Sequence, residues 1–150
     1  MDFRVITEDG RYGVRVTAII IKEGKLLTYK VDHQNHLVGG AMQVGEASYD
    51  AVSREVKEEL GLACAVQDLM YVVENRFDYQ GELHHMVEFH YKVELFGDVP
   101  STTMDEHAFE CEWIPLEELP SYDLRPKFLK DSLQKWDGRI QHIVIQLEKE

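Results

Sequence analysis

Apolar residues recur along this chain at two different spacings, and each spacing predicts a different element. Val14, Val16, Ala18 and Ile20 fall on alternate positions before the run turns wholly apolar, which predicts a strand over Val14–Lys22. Glu23-Gly24 reads as a tight turn into a second strand, Lys25–Lys30, closing a hairpin. Asp32 to His36 is polar and is expected to form a loop, and Leu37-Val38 then leads into Gly39-Gly40. Val52, Val56 and Leu60 lengthen the spacing to that of a helix. Ser48 is its candidate N-cap, Asp50 suits the positive end of its dipole, and Gly61 is the expected stop.

Alternation returns over Val66–Asn75 and Glu82–Leu95, two strands joined across Asp78-Tyr79-Gln80-Gly81. In the second, Met86, Glu88, His90 and Lys92 face opposite to Val87, Phe89, Tyr91 and Val93, giving a polar and an apolar face. Gly97 to Asp105 reads as the most mobile loop, followed by a short strand, Cys111–Ile114, and one helical turn at Leu116–Leu119. Phe128, Leu129, Leu133 and Trp136 predict an amphipathic helix over Arg125–Trp136, and Ile140–Leu147 a final strand. Hairpins, a helix, more strands and a second helix predict an α/β domain over residues 1–150, a mixed sheet with helices on both sides.

Composition narrows the function. At 150 residues, 44% hydrophobic and 29% charged, the chain is long enough for a real core and ordinary for a soluble protein. A formal net charge of −12 argues against bulk nucleic acid as a partner, though not against a nucleotide whose charge a cation offsets. Cys64 and Cys111 form no CxxC pair, Met1-Asp2-Phe3-Arg4 carries no apolar signal core, and no apolar run reaches about 18 residues. A cytoplasmic protein with no membrane partner is expected.

The chemistry gathers on the helix. Glu55, Glu58 and Glu59 fall at i, i+3 and i+4, within an arc of roughly 100° at the edge of the apolar stripe. Like charges at i and i+4 cost about 0.2–0.5 kcal/mol per pair unless a cation lies between them. Hard oxygen donors that converge without completing a cage suit Mg²⁺, with Mn²⁺ as an alternative.

The stretch Gly40–Leu62 resembles the Nudix box, G-x5-E-x7-R-E-U-x-E-E-x-G-U with U aliphatic. Gly40, Glu46, Arg54, Glu55, Glu58, Glu59 and Gly61 fill its fixed sites, and Val56 and Leu62 its aliphatic ones. Outside the box, Trp113-Ile114-Pro115-Leu116-Glu117-Glu118-Leu119 resembles a segment common late in such proteins, while Val38 stands where Pro is frequent. The resemblance implies a Nudix-type α/β/α sandwich. It also implies a Mg²⁺-dependent pyrophosphohydrolase that cleaves a nucleoside diphosphate linked to another group, X. The substrate would be a nucleoside triphosphate, a dinucleoside polyphosphate or a nucleotide sugar.

By the same resemblance Glu55 and Glu59 are metal ligands, Glu58 binds directly or through water, and the Gly40 carbonyl adds an oxygen. Arg54 orients Glu55, or pairs at the surface with Glu58. Glu46 braces the loop and helix, or ligates. The general base is Glu55 on the helix or Glu112 before Trp113, and Glu112 is also a candidate metal ligand. Arg76 and Tyr79 are candidate substrate contacts, Tyr79 because enzymes of dinucleoside polyphosphates often carry a Tyr near that distance beyond the box. ADP-ribose-cleaving relatives often carry a Pro where Asp78 stands. Tyr29 and Phe77 stack on a base or pack within the sheet. Arg11 and Arg15 are further phosphate candidates, and His84, His85 and His90 are structural or solvated. Competing readings are a non-catalytic Nudix domain that binds a nucleotide or protein partner, and a diphosphate isomerase, which would need a catalytic Cys. A homodimer is compatible with the family.

Overall fold

One strand divides the interior in two. In the computed structural model, which describes residues 1–146, Val16, Ala18 and Ile20 enter one core and Ile19, between them, enters another. That alternation is what a strand buried on both faces requires.

In chain order the strands are β1 (Arg4–Thr7), β2 (Gly10–Ile19), β3 (Ile21–Lys22), β4 (Lys25–Val31), β5 (Gln34–His36) and β6 (Gly39–Ala41). Helix α1 (Ser48–Leu60) precedes β7 (Ala63–Tyr79), β8 (Glu82–Phe96), β9 (Cys111–Pro115) and β10 (Leu124–Arg125). The short helix α2 (Leu129–Ser132) and β11 (Gln141–Val144) follow. One sheet runs β1-β2-β8-β7-β11, with β6 also against β2; the other runs β10-β5-β4-β3, with β9 against β4. Each is mixed, because β2 and β8, β7 and β11, and β5 and β10 pair in parallel among antiparallel neighbours.

Helix α1 covers the first core through Ala51, Val52, Val56 and Leu60. Leu129 and Leu133, from α2 and the 3-10 turn after it, cover the second. This is the expected α/β/α sandwich, built on two mixed sheets where one was expected.

The turns behave as their residues dictate. Glu23 and Gly24, at φ 52° and 75°, close the β3–β4 hairpin, and Gln80 and Gly81 close β7 onto β8. Gly61 ends α1 in the left-handed region at φ 71°.

Several expectations are corrected. The N-cap of α1 is Ala47; Ser48 is the first helical residue and its Oγ lies 2.6 Å from the Tyr91 hydroxyl. The stretch Asp32–His36 contains β5, because Asp32 adopts φ 55° and turns the chain back so that Gln34 pairs Val31. Strand β1 was missed: all four of its residues are exposed, so no burial pattern marks it.

The second helix is far shorter than Arg125–Trp136, since Arg125 lies in β10 and the proline after it favours extended backbone at that position. Of the last strand, Gln141–Val144 pairs with β7, and Leu147 lies outside the described residues. The loop expected to be mobile is pinned: Thr103 is buried, and Met104 N–H donates to the Glu59 carbonyl at 2.7 Å.

On the polar face of β8, Glu88 and His90 are buried. Glu88 Oε1 lies 3.0 Å from His90 Nε2, and Asn75 Nδ2 donates to Glu88 Oε2 at 3.0 Å, with Tyr71 and Phe128 packed on the imidazole. Burial pushes the Glu88 carboxyl up, but the His90 and Asn75 interactions outweigh it and hold it below its ordinary value.

Glu88→Ala removes the acceptor for two buried partners. It should cost about 1–3 kcal/mol, or about 2–4 °C of Tm for each kcal/mol in a chain of this size. Chemical denaturation checks this, and a change below about 0.5 kcal/mol would refute the view that the network holds the sheet face.

Candidate active site

Strand β6 brings glycine backbone under α1. Gly39, Gly40 and Ala41 pair with Thr17, Val16 and Arg15 of β2. A Cβ on Gly40 would lie 2.6 Å from Glu55 Oε1, so only glycine lets that carboxylate approach. The helix is held in this rotation by Val52, Val56 and Leu60, all buried in the first core. The residues between them turn Glu55 and Glu59 onto the edge of β6, and Gly39 N–H donates to Glu59 Oε2 at 2.9 Å.

Arg54 ties the cluster together. Its Nε and Nη2 reach Glu46 Oε2 and Oε1 at 2.8 and 3.1 Å, a bidentate pair. Nη2 also donates to the Ala41 carbonyl at 3.0 Å, while Nη1 lies 3.0 Å from Glu55 Oε1 and 3.3 Å from both Glu58 oxygens. The pair with Glu58 and the contact with Glu55 therefore coexist. Glu46 further accepts from Gln43 N–H at 2.9 Å, and the Arg54 and Gln43 contacts hold its carboxyl below the ordinary value despite burial.

The two inner carboxylates are electrostatically unsatisfied. Burial pushes Glu59 up to about 8, with the charges of Glu55 and Asp105 adding to it and the Gly39 hydrogen bond opposing. Burial likewise raises Glu55, against the pull of Arg54. Two desolvated carboxylates at i and i+4 beside exposed backbone are a hard-oxygen donor set short of a cation. Among the described residues no three His, Cys, Asp or Glu side chains form a closed cage.

Other sequence candidates lie elsewhere. Cys111 and Trp113 pack toward the first core and Ile114 toward the second, so alternation turns Glu112 away from α1. Its carboxylate meets Lys30 Nζ at 2.7 Å instead. Glu112 is not brought to the cluster, and its expected roles as ligand and base are withdrawn. Arg76 and Tyr79 are in the outer half of β7: Arg76 donates to the Ile145 carbonyl at 3.4 Å, and Tyr79 is exposed at the hairpin end. Neither reaches the carboxylates.

Three neighbours come from outside the box: Tyr29 and Arg15, candidates for base stacking and phosphate contact, and Asp105, which the sequence did not single out. The Tyr29 ring stacks on His36 and Phe109 at 5.9 and 5.5 Å, and burial with the nearby Glu59 charge pushes its hydroxyl up to about 12. Asp105 caps its own turn, accepting from Thr103 Oγ1, His107 N–H and Ala108 N–H. Arg15 stands in register with Ala41, and its charge opposes the upward shifts of Glu55 and Glu59. Nothing in the local sequence brings Tyr29, Asp105 and the box helix together: the pairing of β4 with β9 and β5 places Tyr29, and the loop tied to α1 by Met104 N–H on the Glu59 carbonyl places Asp105.

Residues 11–135 match the family model described as NUDIX domain. The chain is 27% identical over 117 residues to a CTP pyrophosphohydrolase of Escherichia coli, covering 74% of this chain and 82% of that protein. It is 30% identical over 133 residues to an ADP-ribose pyrophosphatase of Methanocaldococcus jannaschii, covering 83% and 75%. Among solved structures, the MutT NUDIX hydrolase of Burkholderia pseudomallei superposes with a TM-score of 0.66 at 25% identity, over 79% of this chain and 95% of that one.

The buried charge at Glu59 has a measurable consequence without metal. Its folded pKa lies above the unfolded carboxylate value, so its ionisation cost is absent at low pH, grows as pH rises, and is complete above about 8. In metal-stripped protein at pH 8.5, Glu59→Gln should therefore raise Tm by about 2–4 °C or more, and at pH 5 the gain should shrink toward zero. Thermal melts in chelator check this. A Glu59→Gln protein less stable than wild type at pH 8.5 would contradict the unsatisfied charge.

Proposed function

The chain belongs to the Nudix family of hydrolases acting on phosphorus-containing acid anhydrides, and from that premise we propose that it is a Mg²⁺-dependent pyrophosphohydrolase. Its substrate is a nucleoside diphosphate linked to a further group X. The observation that carries this reading is the desolvated pair Glu55 and Glu59 against the Gly39–Gly40 backbone. The two curated relatives are named for different substrates, CTP and ADP-ribose, and so support the diphosphate chemistry without choosing X.

In this proposal Glu55 and Glu59, with Glu58 at the exposed margin and the Gly40 carbonyl beside them, hold the divalent cation. When bound, it neutralises phosphoryl charge and activates water. The remaining work belongs to the chain. Arg54 keeps Glu55 in one rotamer, and Glu46 keeps Arg54 in place, so little reorganisation accompanies reaction. Glu55 is the proposed general base, since it combines a raised proton affinity with a fixed position over Gly40. Arg15 adds positive charge on the substrate side, where phosphate oxygens need it. No described helix is long and apolar enough to cross a membrane, and a cytoplasmic enzyme acting on soluble nucleotides is part of the proposal.

Hydrolysis with Mg²⁺ should be lost in chelator. Glu55→Gln and Glu59→Gln should each lower kcat by about 10²–10⁴-fold while the protein stays folded. Glu112→Gln, at a carboxylate paired with Lys30 away from the cluster, should stay within about threefold of wild type. Product chromatography over nucleoside triphosphates, nucleotide sugars and dinucleoside polyphosphates provides the readout. Full activity in Glu59→Gln, or a loss in Glu112→Gln equal to that in Glu55→Gln, would overturn the assignment.

A further inference from the structure

Between β5 and β6 the chain crosses from one sheet to the other in two residues, Leu37 and Val38. Ala18 N–H donates to the Val38 carbonyl at 2.8 Å, so the crossing is fixed and His36 stands just before the Gly39–Gly40 backbone. Strand register sets what flanks it. Tyr29 on β4 and Arg125 on β10 are its direct partners, and Cys111 on β9 is the partner of Tyr29. Partners across a ladder share a face, so Cys111, Tyr29, His36 and Arg125 form one row on strands about 4.8 Å apart. The Cys111–Tyr29 end lies beside Glu59, whose charge raises the proton affinity of both groups. The row leads from the carboxylates out to a guanidinium.

His36 is half-buried in this row. Its ring stacks on Tyr29 with the planes 22° apart, and Nε2 lies 3.1 Å from Gln34 Oε1. An amide oxygen only accepts, so Nε2 carries the proton and Nδ1 is the free acceptor of the neutral ring. Among the described residues Nδ1 of His36 has no partner, yet it is not sealed in; His90 Nδ1 is the one nitrogen there both buried and unpartnered.

The charges around the ring are mostly positive. Burial and then the charges of Arg125 and Arg15 hold its pKa below the ordinary value, against a smaller pull from Asp123. Arg125 Nε donates to Asp123 at 2.9 Å, while Arg15, facing from β2 beside Ala41, forms no ion pair among the described residues. The Tyr29 hydroxyl, pushed up to about 12, stays neutral. A neutral imidazole between two guanidiniums offers an anion no donor at Nδ1 until it is protonated. Protonation in turn is opposed by the arginines until an anion offsets them. Anion and proton therefore raise each other's affinity.

We infer that His36, with Arg15 and Arg125 on either side, is a substrate contact that donates from Nδ1 to a phosphate oxygen and takes up a proton as it does so. This rests on the pyrophosphohydrolase reading: the Glu55–Glu59 cluster receives the phosphate under attack, and His36 receives one further along the same chain. The ring is easier to protonate in the complex than in the free protein. Binding is therefore strongest at low pH and weakens as pH rises past the free and then the bound pKa, by about tenfold between pH 5.5 and 8.

The test follows the His36 ring by NMR while methylenediphosphonate, a diphosphate with a carbon bridge that water cannot cleave, is added with Mg²⁺. The titration midpoint of His36 should move to higher pH. Calorimetry in two buffers of different ionisation enthalpy should show more proton uptake by wild type than by His36→Gln, which cancels the titration of the ligand itself. Inorganic phosphate, too short to reach from the cation to His36, should move the ring far less. With a substrate found by the panel, His36→Gln should raise KM about tenfold at pH 6 and much less at pH 8.5, with most of the loss on KM. A midpoint unmoved by the diphosphonate, an equal shift with inorganic phosphate, or equal proton uptake in His36→Gln would overturn the contact and leave the hydrolase reading intact. A wild-type protein that cleaves no anhydride of the panel with Mg²⁺ would remove the hydrolase reading and the substrate contact with it.

Discussion

The guanidinium of Arg54 meets Glu46, Glu55, Glu58 and the Ala41 carbonyl within 3.3 Å, and the arrangement of the site depends on it. Each contact does a different job. Glu46 fixes the fork bidentately and raises the proton affinity of the guanidinium. Ala41 ties the helix to β6, beside the glycine backbone that Glu55 and Glu59 approach. Glu55 is thereby held where a Cβ on Gly40 would collide with it. Lysine, with one point charge and no fork, cannot make this set of contacts.

That arrangement tolerates a local conflict in order to keep a reactive surface. Burial raises the proton affinity of both Glu55 and Glu59, and at Glu59 one backbone hydrogen bond from Gly39 does not offset the lost water. Local choices usually agree with the fold, and sites where they disagree tend to be functional. The stability of α1 comes from the opposite side of the helix, where Ala51, Val52, Val56 and Leu60 are fully or almost fully buried. Packing on one face holds charge in an unfavourable position on the other.

How far the sequence could be read depends on how local each cause is. The box helix was legible because its evidence lies within a few turns: apolar spacing, the acidic i, i+3, i+4 pattern and Gly61. The two long strands and their turn were legible for the same reason. Glu112 was misread because its neighbour Trp113 carried a family likeness, while the side it faces is set by strand alternation between two cores. The burial of His90 on the polar face of β8 was not legible locally, because the ring packed on it, Phe128, is 38 residues further on, just before a helix reduced to a single turn. Strand β1 gave no signal, since an edge strand exposed at every residue has no pattern of burial to display.

Net charge adds a final constraint on how a substrate enters. A chain at −12 repels polyphosphates at long range, so an anionic ligand gains from arriving with a divalent cation that cancels part of its charge. On the proposed reading the cation meets two desolvated carboxylates, of which Glu55 also pairs with Arg54, and the phosphates meet Arg15, which forms no ion pair among the described residues. On that same proposed reading, acidic composition over the rest of the surface disfavours a phosphate chain that arrives without its cation.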